Sequence, residues 1–552
     1  LDGDVDPKKP PAPPPQGPNA VTSFFNIMGE VAPGPFAVAV RFSPEDAKAK
    51  RQPAVAVLLG VATDANVEAY SNVGPAVLAD LLKRMKVETL AVTEYGDAKL
   101  ISVTVEDKGA RKDVFTLTLL KGRLLVSTDA EFTKQILDGL SGKLPKRLSD
   151  NQTYKNTGLL GDEHLIAYLD VVGLKAALGA APKPDPAVPN QLDDFFVLAG
   201  LNKSIAVAWS LKMRGPAFES RTAIFSEGER EGLLGTLDDA PLSPEAMHVC
   251  PPNTPLAAGF RIRPDKVSSF LRNVVKAVRG PKGLEEFNAM QQQINKELGK
   301  DIEQELRTHF GNEFVIASLP SDGTAALGQI SAFVAALTVK DEKKADELLS
   351  QVLTRQAAKI DPKGNAANVL TELDFDGKKI RFLQLPAIAG IIELSPSFVI
   401  TNNRLLVTMD VPTLKRAMKT LKEGAAGKSL HDAEIFKKAL ADTGGNMGPM
   451  FSYVDWAAVY KTGFQLSTTA LRLVAPTDVL REIGINMNLV PSTDTVAQHL
   501  FPGLSVAQIT PNGIVLTSRS PLPSLEVLSP PLAAVTAVFA SFRPFMAPAE
   551  KK

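Results

Sequence analysis

The feature that most constrains the fold of this chain is an internal repeat. The segment Pro35–Pro44 (PFAVAVRFSP) returns as Pro255–Pro264 (PLAAGFRIRP), and the segment Arg123–Asp129 (RLLVSTD) returns as Arg404–Asp410 (RLLVTMD). Two further pairs follow in the same order: Leu148–Lys155 with Leu430–Lys438, and Ile166–Val171 with Phe451–Trp456. Because the matches keep their order over long distances, they indicate a duplicated domain rather than a solenoid of roughly 20–50-residue units.

Each copy combines strand patterns with helical stretches. Phe36–Phe42 alternates and predicts a strand, the apolar run Ala54–Val61 suits a buried strand, and residues 64–85 show a helical apolar face. In the second copy, Asp376-Gly377 and Asn402-Asn403 predict tight hairpin turns. We therefore predict an α+β fold, built by tandem duplication of a mainly antiparallel sheet module with helices packed on one face.

The repeat and the local composition predict the domain organisation, with a linker near Gly235–Pro244 where Asp, Pro and Ser cluster. The predicted parts are a Pro-rich disordered tether (1–22), a first α+β repeat (23–242), a second α+β repeat (243–525) with a helical insertion (267–310), and a C-terminal tail with a short helix (526–552). Within the insertion, Leu284–Phe310 is amphipathic. It either packs on its own module or docks on a partner or a lipid surface, and its acidic residues argue against an anionic membrane.

The balance of charges argues against a nucleic-acid-binding protein. The chain of 552 residues has 61 Lys and Arg against 61 Asp and Glu, whereas nucleic-acid binding proteins usually carry a basic excess. No apolar run reaches the roughly 18–20 residues that a spanning helix needs. The chain begins at Leu1, and its Pro-rich start is typical of a tether behind a removed signal segment. We therefore expect an exported protein of the periplasm or cell surface.

Side chains that often carry chemistry do not form a recognisable catalytic, cofactor or metal motif. Cys250 is the only cysteine, and its apolar neighbours favour a small buried filler over a reactive thiol. The stretch Gly424–Ser429 (GAAGKS) has only two residues between its glycines, so it fits a loop between helices better than a phosphate loop. No pair of histidines has metal-ligand spacing on one helix; the five are His164, His248, His309, His431 and His499.

The repeat itself supplies paired charged residues with two interpretations. Asp170 and Asp455 end the shared Y-[LV]-D element, and each is either one of a pair of functional acids or the N-terminal cap of the next helix. Asp129 and Asp410 also precede helices and are expected to be caps. Arg123 and Arg404 start matching strands, where an arginine more often pairs with a neighbouring carboxylate than binds an anion.

The chain resembles a family of large exported bacterial proteins, of Planctomycetes type, that carry a domain of unknown function. The resemblance rests on the LSD and LHD elements with the Y-[LV]-D element, on the RLLV segments before them, and on the closing segment His499–Pro523. It covers most of residues 20–525. It implies an exported, surface-associated protein and brings no known reaction or catalytic residue.

Three functions follow from this reading. The first is a non-catalytic exported scaffold or binding protein, with an envelope protein as its partner. The second is a carrier or chaperone for an apolar ligand such as a lipid or lipoprotein, because several strands are rich in Ala, Val and Leu on both faces. The third is a hydrolase whose active site is assembled only by folding.

Overall fold

A computed structural model of the chain describes residues 36–41, 54–60, 89–96, 98–107, 110–120, 123–144, 148–158, 164–180, 196–320, 332–360, 370–383, 395–474 and 492–522. The predicted tether 1–22, the predicted helix 64–85 and the predicted tail 526–552 lie outside the described residues. The chain divides into two compact units. Unit 1 comprises Leu1–Gln152 and Gly173–Asp185, and unit 2 comprises Thr153–Val172 and Pro186–Lys552.

Unit 1 contains an antiparallel sheet, called the small sheet, with the strand order β1-β2-β6-β5-β4-β3. Its strands are β1 (Phe36–Arg41), β2 (Ala54–Gly60), β3 (Thr89–Tyr95), β4 (Ala98–Asp107), β5 (Ala110–Leu120) and β6 (Arg123–Ser127). Helix α1 (Ala130–Leu140) packs Phe132 and Leu137 against Leu100 and Leu125 of the sheet.

Unit 2 contains a 13-stranded antiparallel sheet, called the large sheet, with the order β13-β14-β15-β16-β12-β11-β10-β17-β18-β19-β9-β8-β7. Its strands are β7 (Leu165–Asp170), β8 (Ser204–Arg214), β9 (Ala217–Ser226), β10 (Leu256–Arg261), β11 (Phe310–Ser318), β12 (Phe333–Val339), β13 (Leu370–Phe375), β14 (Lys378–Leu383), β15 (Ser397–Thr401), β16 (Arg404–Thr408), β17 (Met450–Val454), β18 (Gly503–Thr510) and β19 (Gly513–Ser520). The α+β class predicted from the sequence is confirmed.

Helices of very different length connect these strands. The α-helices are α2 (Gln152–Asn156), α3 (Val171–Ala180), α4 (Gly232–Gly235), α5 (Pro264–Leu298), α6 (Ile302–His309), α7 (Glu342–Ile360), α8 (Val411–Ala425), α9 (Glu434–Asp442), α10 (Trp456–Val474) and α11 (Thr493–Ala497). Short 3₁₀ helices lie at Leu148–Asp150, Pro244–Val249 and Leu430–Asp432. Helix α5 is interrupted at Gly280, where φ is 71° and Pro281 follows, because proline disfavours a helical residue before it.

Local sequence accounts for the hairpins at the β13 end of the large sheet. Asp376 and Gly377 have φ values of 54° and 72°, and Asn402 and Asn403 have φ values of 50° and 55°. Two successive residues with positive φ form the turn whose twist matches antiparallel strands, and Asn, Asp and Gly tolerate it best. Both predicted turns are therefore confirmed.

Helices cover both faces of the large sheet near β12, β15 and β16, whereas the sequence predicted one covered face. Neighbouring residues of β15 show the two sides. Val399 packs in the main core with Leu414 and Met418 of α8, while Ile400 packs in a second cluster with Leu348 of α7. The main core also holds Phe436 of α9 and the buried Cys250. The apolar character of both faces therefore reflects a sheet that is packed from two sides.

The predicted linker Gly235–Pro244 is part of the packed structure of unit 2. Leu237 bridges to Ile262, and Leu242 lies in the main core. Strands β7, β8 and β9 also belong to the large sheet, so unit 2 includes the end of the predicted first repeat (23–242). A continuous edge-to-edge pairing of β9 with β19 causes this arrangement. The boundary between the two predicted copies remains a sequence prediction.

A close helix contact shows how tightly the main core is built. Gly424 lies on the buried side of α8, and a Cβ atom added to it would overlap the backbone carbonyl of His248. At Gly463, a helical glycine of α10, an added Cβ would meet no atom within 4 Å. Only the first of these two glycines is therefore required by packing.

Candidate binding surface

The repeated aspartates lie at helix starts. Asp129 accepts a hydrogen bond from the Phe132 amide at 2.6 Å, and Asp410 accepts one from the Thr413 amide at 2.6 Å. Asp455 accepts from the amide of Ala458 at 3.1 Å, and Asp170 directly precedes α3. The capping interpretation is confirmed for Asp129, Asp410 and Asp455, because their side chains satisfy amides that have no partner within the helix.

The repeated arginines pair with carboxylates. In unit 1, Arg41 lies 3.4 Å from a carboxylate oxygen of Asp129. In unit 2, the matching Arg261 lies 3.1 Å from Asp238 and 3.4 Å from Glu313. Arg404 lies 3.7 Å from the other oxygen of Glu313. The predicted pairing is confirmed for Arg404, while the matching Arg123 lies at an exposed strand end.

These contacts form an ionic cluster, defined by Asp238, Arg261, Glu313 and Arg404. Both carboxylate oxygens of Glu313 accept hydrogen bonds from Ser243, one from its amide at 2.7 Å and one from its hydroxyl at 2.8 Å. Glu313 and Arg404 are both more than nine-tenths buried. The cluster therefore fastens the segment before β10 to strands β10, β11 and β16.

Electrostatics in the cluster follow from burial and from these partners. Burial lowers the pKa of the Arg404 guanidinium, and the carboxylate of Glu313 opposes that shift. Burial alone would raise the pKa of Asp238, but the hydrogen bond from Arg261 and two backbone amides hold it below its usual value. Since the Glu313 oxygens are engaged within the fold, the cluster has a structural role.

In the described part of the chain, two histidines have neighbours within the fold and the cysteine is buried. Among the described residues, no three His, Cys, Asp or Glu side chains are placed to hold a metal ion. His309 lies 3.4 Å from Glu305 and His164 accepts from the amide of Met213 at 3.2 Å. Burial raises the pKa of the Cys250 thiol to about 12, so the thiol stays protonated at neutral pH.

The stretch Gly424–Ser429 connects helix α8 to a 3₁₀ helix, as predicted. Ser429 starts that 3₁₀ helix, and its amide and hydroxyl donate to the carboxylate of Asp432 at 3.0 and 2.6 Å. This contact engages the amide and the hydroxyl of Ser429 within the fold. The loop interpretation is therefore confirmed.

A polar cleft of about 220 Å³ lies beside the turn between β18 and β19. Its charged lining consists of two ion pairs, Arg230 with Asp239 and Arg263 with Glu229. The charges balance within the cleft, and each carboxylate faces an arginine. This arrangement supplies neither an excess charge for an ionic ligand nor an unpaired acid–base couple.

The large sheet also presents an uncharged surface, called here the open face. One row of side chains crosses four paired strands: Ala258, Ile316, Ala335 and Val407. In the row beside it, Leu256 and Phe333 both pair with Ser318 of β11, and Met409 directly follows β16. Ile316, Phe333 and Val407 are each 37% exposed, and Met409 is 40% exposed. These side chains lie together, so they form a contiguous apolar surface rather than scattered exposed residues.

On the same side of the sheet, helix α7 covers the other ends of strands β12 and β15. There Ile400 and Val339 pack with Ala345 and Leu348 of helix α7. Arg381 of β14 lies at the border and forms ion pairs with Asp346 of α7 and Glu372 of β13. Within the described residues, the open face continues a surface on which helix α7 packs.

The sequence pointed to this surface only in general terms. The high Ala, Val and Leu content on both strand faces was visible, but the participating residues were not. The strand β11 supplies the central Ile316, and its sequence FGNEFVIAS breaks the alternation with Gly311, Asn312 and Glu313. Because the strand character of this segment is not visible in the sequence, the position of Ile316 in the row could not be predicted.

Comparison with known protein families gives a match to part of the chain. Residues 228–492 contain a DUF3352 domain. That family is described as a protein of unknown function, which supports the expected resemblance to a domain-of-unknown-function family. The DUF3352 domain includes strands β10 to β17, so it contains both the ionic cluster and the open face. No curated protein and no solved structure matches the chain. None of the helices in the described parts of the chain is long and apolar enough to cross a membrane.

Proposed function

We propose that this chain is a non-catalytic binding protein, and that the open face docks the apolar side of an amphipathic helix from a partner protein. The observation that carries the proposal is the pair of uncharged rows across paired strands of the DUF3352 domain. Exposed apolar surfaces that are contiguous mark interaction sites in soluble proteins.

The shape of the open face favours a helix over a small molecule. Binding sites for small molecules are concave and enclose most of the ligand, whereas this surface is the side of a sheet. Four strands at a spacing of about 4.8 Å span roughly 14 Å, and residues two apart on a strand lie about 6.7 Å apart. A helix of about 10 Å diameter laid across the strands would cover both rows with some ten residues.

Continuity with helix α7 supports the same occupant. Helix α7 covers the neighbouring part of this side through Ala345 and Leu348. A second helix beside it would complete a helix layer on the sheet, which is the usual way in which an α+β protein buries a sheet face. The uncharged rows require a partner whose contacting residues are apolar.

A peptide-binding measurement tests the proposal. The probe is a fluorescent amphipathic peptide of Leu, Glu and Lys with zero net charge, and its control is a scrambled peptide of the same composition. We expect anisotropy to rise with the amphipathic peptide only. Val407→Glu should weaken binding at least tenfold, because a buried carboxylate without a partner is costly. Ile435→Glu, at an exposed position of α9, should leave binding unchanged.

Four outcomes contradict this function. Binding that is equal for both peptides, or unchanged in Val407→Glu, removes the open face as the site. Binding to phosphatidylcholine vesicles without binding to the peptide favours a lipid carrier instead. Binding to neither probe leaves the face without the proposed occupant.

The exported location is part of the same proposal. It is supported by the Pro-rich composition of residues 1–22 and by the resemblance to exported proteins. Fractionation of cells that produce the full protein tests it. Recovery in the cytoplasmic fraction alone would contradict an exported binding protein.

A further inference from the structure

The inserted helix α5 is an arm of two helices rather than one long helix. At Gly280 the φ and ψ angles are 71° and −173°, outside the helical region. In a straight helix Arg272 and Gln291 would lie about 28 Å apart, yet the Arg272 guanidinium donates to the Gln291 side chain at 3.0 Å. The chain therefore reverses at Gly280, and the first half of the arm (264–279) lies antiparallel beside the second half (281–298).

The first half of the arm directs an apolar stripe away from the second half. Arg272 and Arg279 lie seven residues apart, on the side that contacts the second half. Roughly 120° around the helix from these arginines, the stripe is formed by Val267, Leu271, Val274 and Val278. Leu271 is 45% exposed and Val278 is 76% exposed. Within α5, which is described throughout, only Gly283 is buried. The stripe therefore lies outside the core of unit 2.

The charges around this stripe are basic. Residues 266–283 contain five basic residues and no acidic one. Three of the basic residues, Lys276, Arg279 and Lys282, are exposed and lie close in sequence to Val278, where the arm reverses. The acidic residues that argued against an anionic membrane belong to the stretch Leu284–Phe310, which starts after this segment. The end of the arm therefore combines an exposed apolar stripe with positive charge.

We infer that the end of this arm binds a lipid surface with anionic headgroups, with the stripe at the apolar boundary and the basic side chains among the headgroups. A helix with Lys and Arg on its polar face and apolar residues on the other face lies in a membrane interface. Each Lys or Arg near an anionic leaflet strengthens binding about fivefold. The arm is a surface apart from the uncharged open face, so this inference does not depend on the proposed function.

Vesicle flotation with the full chain tests the inference. The probes are vesicles of phosphatidylcholine mixed with phosphatidylglycerol, and vesicles of phosphatidylcholine alone are the neutral control. We expect binding to be at least about tenfold stronger to the anionic vesicles and to fall at high salt, because exposed charges are screened. Val278→Glu should weaken binding about tenfold, because it places a carboxylate on the stripe. Ile435→Glu, at an exposed position of α9, should bind like the wild type.

A charge reversal separates the arm from the net charge of the chain. Lys276→Glu combined with Lys282→Glu should abolish the preference for anionic vesicles. The matched control is Lys428→Glu combined with Lys438→Glu, which changes the net charge equally at exposed positions outside the arm and should preserve that preference. A control that loses binding as strongly as the arm variant would overturn the inference.

A dye on the stripe distinguishes a lipid surface from a second copy of the chain. Cys250 is the only cysteine and is buried, so the variant Val278→Cys can be labelled selectively with a dye that brightens in apolar surroundings. We expect the fluorescence to rise with anionic vesicles only. A rise with protein concentration in the absence of vesicles would mean that a second copy covers the stripe. That result, equal binding to both kinds of vesicle, or unchanged binding by Val278→Glu would each overturn the inference.

Discussion

Replacing Glu313 with glutamine should destabilise unit 2 by about 3 kcal/mol. The side chain keeps its shape but loses its charge, and Arg404 loses a carboxylate 3.7 Å away while remaining buried. One of the two Ser243 donors also loses its acceptor. Removing one partner of a buried ion pair costs roughly 3–5 kcal/mol. The lower end of this energy range applies because Arg261 is partly exposed and keeps Asp238 as a partner.

Substituting Arg404 together with Glu313 distinguishes the cost of an unpaired buried charge from the cost of a packing defect. In the double variant Glu313→Gln with Arg404→Met, no uncompensated charge remains. Replacing a buried pair with apolar groups is often close to neutral. We therefore expect the double variant to be more stable than the sum of the two single losses, by about 1–3 kcal/mol. Additive losses would refute the view that the pair acts as a unit.

Tryptophan fluorescence follows the unfolding of unit 2 alone. The chain has only Trp209 and Trp456, and both lie in unit 2. Urea unfolding followed by tryptophan fluorescence therefore reports this unit. With a denaturant slope of about 3 kcal/mol/M, a loss of 3 kcal/mol lowers the midpoint by roughly 1 M. Glu434→Gln, in an exposed pair with Lys437, serves as the control and should leave the midpoint unchanged. A shift for Glu313→Gln no larger than the control shift would refute the reasoning.

Three further predictions use the same unit. Gly424→Ala should cost about 1–3 kcal/mol in the same urea assay because its Cβ has no room, whereas Gly463→Ala should stabilise slightly through helix propensity; equal effects would contradict the packing argument. Cys250 should react with iodoacetamide at mildly alkaline pH only after unfolding, since burial raises its pKa to about 12; labelling of the native protein, seen by mass spectrometry, would contradict this. The pKa of Asp238 is lower in the folded protein than in the unfolded chain, so this carboxylate stabilises the fold above its unfolded pKa, and that stabilisation is lost as the pH falls through its folded pKa. The variant Arg261→Gln should therefore lose less stability than the wild type between about pH 5 and pH 3. An acid-unfolding profile that is the same for both proteins would argue against the pair.

Local signals in the sequence predicted several strands and turns well. Strand β2 occupies Ala54–Gly60, within the apolar run Ala54–Val61 that was expected to form a strand, because a short apolar run between turn residues has few other stable states. The positive φ angles at Asp376 and Asn402 follow from the turn that two-residue hairpins require. The caps at Asp129 and Asp410 follow from the unpaired amides at a helix start.

Contacts between distant segments were not predictable in the same way. The repeated arginines Arg41 and Arg261 each found a carboxylate, but Arg41 pairs with Asp129 whereas Arg261 pairs with Asp238 and Glu313. Which carboxylate is near depends on segments that only folding brings together. The open face escaped prediction for the same reason, since its rows join residues from β10, β11, β12 and β16.

Strand order offers support for the predicted duplication that is independent of the motifs used to find it. In unit 1 the order β2-β6-β5-β4-β3 follows β1, and in unit 2 the order β12-β16-β15-β14-β13 consists of the corresponding strands. The difference is β11, which lies between β10 and β12 and directly follows the predicted insertion 267–310. An insertion that ends in a strand explains this departure without changing the order of the other strands.

The junction of β9 and β19 extends this argument to the large sheet. Reading outward from the junction, β19, β18 and β17 follow on one side, and β9, β8 and β7 follow on the other. The predicted duplication accounts for this mirrored order if β7, β8 and β9 close the first copy as β17, β18 and β19 close the second. Equivalent strands that meet around a two-fold axis pair antiparallel, and β9 and β19 pair in this way. At its other end the large sheet stops at β13, whose acidic residues oppose pairing with a further strand.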